Sequence, residues 1–124
     1  MTKRNIVHIE ISTRNAEETR KFYQKLFGWK ITPIPEMNYT TWEADEGPGG
    51  GFSPVGEDTK SGDILIHVNS DDIEADLKKA VKLGATVVRE KQEIPNIGWW
   101  GVFKDPTGNR IALYTDMHPT QRNK

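Results

Sequence analysis

Residues 6–12 read IVHIEIS, and residues 63–70 read DILIHVNS. Each is a short β-branched run carrying one histidine, and each alternates along its length. Val7, Ile9 and Ile11 oppose His8, Glu10 and Ser12, while Ile64, Ile66 and Val68 oppose Asp63, Leu65 and His67. A period of two is the signature of a strand with one apolar face. The residues after each run decide the fold. The first run leads into NAEETRKFYQKLFG, where Asn15 can cap a helix with Glu18 three residues on. Ala16, Phe22, Tyr23, Leu26 and Phe27 make its apolar stripe, and Gly28 suits a left-handed stop. The second leads into DDIEADLKKAVKLG, with Asp71 and Glu74 as the cap pair. Its stripe is Ile73, Leu77, Ala80 and Val81, and Gly84 is its stop.

The rest of each half is extended. WKITPI and YTTWEAD predict two strands broken around Pro33 and Pro35, and GPGGGFSPVG reads as a glycine-rich strand or a loop. TVVREKQEI, WWGVFKD and RIALYT predict three more, with DPTG a type I turn that has Pro106 second and Gly108 fourth. Both halves therefore read β-α-β-β-β, an internal duplication with an α+β fold. The expected modules run from about residue 5 to 56 and from 62 to 116, with 117–124 a loose tail. Units of that size are too small to be stable separately and are expected to share a core.

Composition narrows the function classes. Seventeen basic and 18 acidic residues give a net charge of −1, which offers no electrostatic case for nucleic acid or an anionic membrane. There is no cysteine, hence no disulfide framework and no thiolate chemistry. No apolar run approaches a membrane span, and MTKRNIVHIEIS has no signal-peptide core, so a cytoplasmic protein is the expectation. The glycine run is not a phosphate cradle, because EDTKSGDILI comes after it where a helix N-terminus would be needed. A flexible rim, with backbone approaching a ligand, is the expectation for it. His8 and Glu10 share a face, but two residues along a strand is about 6.6 Å, long for a base and its orienting partner.

RKFYQKLFGW and KLGATVV, at corresponding places in the two halves, and FKDPTGNRIALY, which closes the second, resemble the vicinal oxygen chelate superfamily: glyoxalase I, bleomycin-resistance proteins and extradiol dioxygenases. The likeness covers about residues 5–116. It implies two βαβββ modules whose curved mixed sheets enclose a cavity, with the helices outside. The apolar rows should face the helices, leaving His8, Glu10, Asp63 and His67 on the cavity side. Metal-dependent members hold one divalent ion, such as Ni, Zn, Mn or Fe, with four residues, one from the first and one from the last strand of each module. His8 falls on the first position and Asp63 on its counterpart, but the last-strand positions are Gly51 (or a neighbour) and Ala112, which offer no ligand atom. His8 and Asp63 make half a site, where tight binding usually takes three protein ligands.

The expected protein is therefore glyoxalase-like with a cavity for a small organic molecule and without the full four-ligand metal site. Expected pocket residues are His8, Glu10, Trp42, Gly51, His67, Trp99, Ala112 and Tyr114, with Trp100 the other tryptophan able to form a wall, and His8, Glu10 and His67 as catalytic candidates. Gly51 and Ala112 would leave room for the ligand, and the aromatic side chains would supply its walls. Two alternatives are a metal-dependent lyase, isomerase or dioxygenase using His8 and Asp63, and a drug-sequestering resistance protein, for which a net charge of −1 gives little support. Lactoylglutathione lyase activity is not expected, since it needs the missing carboxylates. The resemblance also implies a homodimer.

Overall fold

The computed structural model describes residues 3–56 and 59–118, and the expected tail from 119 onward lies outside them. The chain divides into two compact units, Val7–Leu65 and Met1–Ile6 with Ile66–Lys124. The first holds β1 (Ile6–Thr13), α1 (Ala16–Phe27), β2 (Lys30–Ile34), β3 (Tyr39–Glu43) and β4 (Gly49–Pro54). The second holds β5 (Ile64–Asn69), α2 (Ile73–Lys82), β6 (Thr86–Ile94), β7 (Gly98–Lys104) and β8 (Arg110–Asp116). In each, the first strand lies parallel to the last, and the other three pair antiparallel, giving β2-β3-β4-β1 in one unit and β5-β8-β7-β6 in the other. This is the α+β duplication that the sequence predicts.

Local chemistry sets the boundaries. Asn15 caps α1 by accepting the Glu18 N–H at 3.0 Å, and Gly28 closes it at φ 73° with its N–H on the Gln24 carbonyl. For α2 the cap is Asp72, which accepts the Ala75 N–H at 3.0 Å, one residue later than expected. The shift has a cause: Ser70 accepts the Asp72 N–H and donates to Asp76, which fixes the turn that starts the helix. The DPTG turn closes with Gly108 N–H on the Asp105 carbonyl at 3.0 Å. Pro33 is accommodated because β2 is an edge of its sheet order.

The glycine run is not a rim. It is β4, hydrogen-bonded to β1 on one side and β3 on the other. A Cβ on Gly50 would stand 1.7 Å from the Ile9 carbonyl oxygen, so glycine there permits close backbone approach between the strands.

In unit one, Phe52 pairs with Ile11 and stacks on Tyr23 of α1, so the Ile9–Ile11 row faces the helix. The helix itself buries no residue fully, and Phe22, Leu26 and Phe27 stand exposed. In unit two, Ile73 and Leu77 of α2 pack on Leu113, with Val87, Trp99 and Phe103 around them. The strands of each unit therefore have a helix face and an open face, which the unit's own helix does not cover. Val102, Ala112 and His67 on that face are nonetheless buried. Alternation assigns the remaining residues.

Candidate functional site

The open face of unit one carries His8 and Glu10 from β1, Gly51 opposite Glu10 on β4, and Thr41 opposite Gly51 on β3. Across them lies a side chain that the sequence reading does not single out, Tyr39. The turn at Pro35–Met37, closed by Asn38 in the left-handed conformation, brings the chain back so that Tyr39 opens β3. Its ring passes over Gly51, where a Cβ would stand 1.9 Å from the phenol oxygen. The Tyr39 hydroxyl donates to Glu10 Oε2 at 3.0 Å and meets His8 Nε2 at 2.7 Å. A phenol has one proton, so with it given to Glu10 the imidazole Nε2 is the donor to the phenol oxygen. His8 and Glu10 are thus joined through a third group, which resolves the 6.6 Å gap expected between them.

The electrostatics come from burial. Removal from water raises the Glu10 carboxyl above its ordinary value of 4.5, an effect that the Tyr39 hydrogen bond partly offsets. Burial, together with the neighbouring Glu10 charge and its hydrogen bond, raises the Tyr39 phenol strongly, so Tyr39 remains a neutral donor.

The open face of unit two repeats the plan with different chemistry. Ala112 pairs with His67 on β5 and with Val102 on β7, and Tyr114 pairs with Asn69 and Trp100. His67 is buried, and its ring lies near-parallel to that of Trp100 at 6.2 Å. The Arg89 guanidinium stands over the Trp100 ring at 4.8 Å. Tyr114 donates to the Ile97 carbonyl at 3.2 Å.

Several expected residues sit elsewhere. Asp63 precedes β5; its carboxylate accepts the Lys60 N–H at 2.9 Å, as a turn residue, and its carbonyl accepts the Ser12 N–H at 3.2 Å. Ser12 is four residues from His8, about 13 Å along a strand. The first-strand partners of Gly51 and Ala112 are Glu10 and His67, not His8 and Asp63. Trp42 faces α1: it is buried and stacks on Trp29 at 4.0 Å. Trp99 packs with the α2 core, leaving Trp100 as the member of the pair on the open face.

Among the described residues, no group of three His, Cys, Asp or Glu side chains is placed to hold a metal ion. The donors do not fit the four-ligand arrangement: Gly51 and Ala112 contribute none, Asp63 is engaged in its turn, and the Tyr39 oxygen occupies the point on which His8 and Glu10 converge. A shallow depression of about 450 Å³ lies at the far ends of β1 and β4, lined by Arg14, Val55, Gly56, Thr59, Lys60 and Ser61, and includes no expected site residue.

Comparison with known proteins agrees with this architecture. The fold is similar to methylmalonyl-CoA epimerase from Mycobacterium tuberculosis, at TM-score 0.73 and 12% identity over 95% of this chain and 91% of that one. It is similar to a hypothetical protein from Bacillus halodurans C-125, at TM-score 0.70 and 14% identity over 92% and 95%. A glyoxalase/bleomycin resistance protein/dioxygenase superfamily member from Vibrio splendidus 12B01 gives 0.65 and 12% over 94% and 100%. No curated protein matches the sequence. Residues 8–114 match the glyoxalase-like domain, which spans both β-α-β-β-β units. The chain belongs to the glyoxalase-like domain family.

Proposed function

We propose that this protein binds a small organic molecule against the open face of unit one and moves a proton on it with Glu10, without the four-ligand ion. The observation that supports this reading is the Tyr39 hydroxyl held between His8 and Glu10 on a face that an inert core would fill with apolar side chains. Glu10, with its carboxyl pushed upward by burial, is a stronger base than an exposed carboxylate, which suits a group that takes a proton and returns it. Tyr39 stays protonated and holds one Glu10 oxygen, and His8 fixes the far side of the same hydroxyl. The reaction class is proton abstraction and return beside a carbonyl group. In unit two, His67, Ala112 and Tyr114 are retained as a proposed ligand-lining row.

The test is solvent-deuterium exchange into pyruvate, hydroxyacetone and acetoacetate by chelator-treated protein, with amide NMR shifts recorded alongside. Expected are exchange above background for at least one compound, shifts at Gly51 and Thr41, and a loss of about 100-fold or more in Glu10→Gln. Exchange that appears only on adding Ni²⁺, Mn²⁺, Fe²⁺ or Zn²⁺, and that survives Glu10→Gln, would overturn the proposal. So would the absence of any shift on this face across the three compounds.

A further inference from the structure

His8 Nε2 and Glu10 Oε2 converge on one point from 2.7 and 3.0 Å, and the Tyr39 oxygen fills it. An imidazole nitrogen and a carboxylate oxygen aimed at one point are donors that a divalent cation takes. A third donor could come from β4, where Gly51 leaves nothing to coordinate with. The phenol covers that position too, since a Cβ there would lie 1.9, 2.1 and 2.5 Å from three Tyr39 atoms.

We infer that Tyr39 is a plug: its hydroxyl takes the place of a divalent cation between His8 and Glu10, and its seated ring excludes one. The plug uses the same three side chains as the proposed function but concerns cation exclusion, so either stands without the other. A cation entering this site has to expel the ring and break both hydrogen bonds.

Unit two places an aromatic residue in the corresponding position. Thr41 pairs with Gly51, and Tyr39 lies two residues before Thr41; Val102 pairs with Ala112, and Trp100 lies two residues before Val102. The Trp100 ring approaches His67, whose strand is separated from its own by β8, as Tyr39 reaches β1 across β4. An aromatic residue at the same place of the third strand thus stands against the histidine of the first strand in both units.

The experiment is calorimetric titration of Ni²⁺ into chelator-treated protein, comparing wild type, Tyr39→Ala, Tyr39→Leu, and each of these combined with Gly51→Glu or His8→Ala. Circular dichroism identifies the folded variants, and Tyr39→Leu keeps apolar bulk where truncation to alanine unfolds the chain. Expected is binding at least tenfold tighter in the Tyr39 variants than in wild type, a further gain of about tenfold with Gly51→Glu as third donor, and loss with His8→Ala. Wild type binding Ni²⁺ through His8 as tightly as the Tyr39 variants would overturn the plug. So would folded Tyr39 variants, with Gly51→Glu included, that bind no tighter than wild type.

Discussion

Replacing Gly51 by alanine adds one methyl group and should act entirely through Tyr39. The new carbon would stand 1.9 Å from the phenol oxygen, and the three atoms nearest to it all belong to that ring. Gly51 has no left-handed backbone to protect, so space and not conformation makes glycine necessary. The ring has to leave its seat, breaking the bonds to His8 and Glu10. Two such bonds contribute about 1–3 kcal/mol together, and the overpacking adds about 1–3, so Gly51→Ala should destabilise by about 2–6 kcal/mol. In a Tyr39→Ala background the clash is gone, and the same change should be neutral or stabilise by up to about 1 kcal/mol, because alanine restricts the unfolded chain. Urea unfolding of the four proteins in this double-mutant cycle reads the difference directly. Equal costs in the two backgrounds, or a cost below about 0.5 kcal/mol in the native one, would refute the seating of Tyr39 over Gly51.

The same geometry sets other outcomes. Glu10 has a folded-state carboxyl raised by burial, so its contribution to stability is fully present below its ordinary value of 4.5 and is lost as pH rises through the higher folded value. Glu10→Gln should flatten this part of the stability profile, and an unchanged profile would count against burial as the cause. Asp76 is held below its ordinary 3.8, first by the Arg4 hydrogen bonds at 2.6 and 3.0 Å and then by Ser70. Its contribution is present above 3.8 and lost as pH falls through the lower folded value; Arg4→Met should cost about 0.5–1 kcal/mol at neutral pH and make unfolding less acid-dependent. Asp72→Ala should cost about 1 kcal/mol in thermal or urea unfolding, since Asp72 is the residue that caps α2.

Much of the architecture is legible locally. Alternation in IVHIEIS places His8 and Glu10 on one face, the Asn15 and Gly28 signals bound α1, and the DPTG turn joins the last two strands, because each depends on neighbours in the chain. The repeated order of elements needs these signals alone. The α2 start shows the resolution of such reading: Asp71 and Asp72 are equivalent as caps until the side chain of Ser70 binds the Asp72 N–H. Tyr39 could have been placed with Glu10 by one further step, since Tyr39, Thr41 and Glu43 alternate with Thr40 and Trp42. Taking that step requires knowing that Thr41 faces Gly51.

Sequence by itself therefore determined the duplicated β-α-β-β-β order, the faces of the first strands and the missing donors at Gly51 and Ala112. Tertiary structure alone decided what covers Gly51, which of Trp99 and Trp100 lies on the open face, that Trp42 belongs under α1, and that Asp63 holds a turn. The physical reason is the nature of the two periods. A strand's alternation fixes which residues share a face, but only hydrogen bonds between strands distant in sequence fix which face receives the helix and which residues stand opposite one another. Tyr39 lies 29 residues from Glu10 and 31 from His8, and no local rule spans that separation.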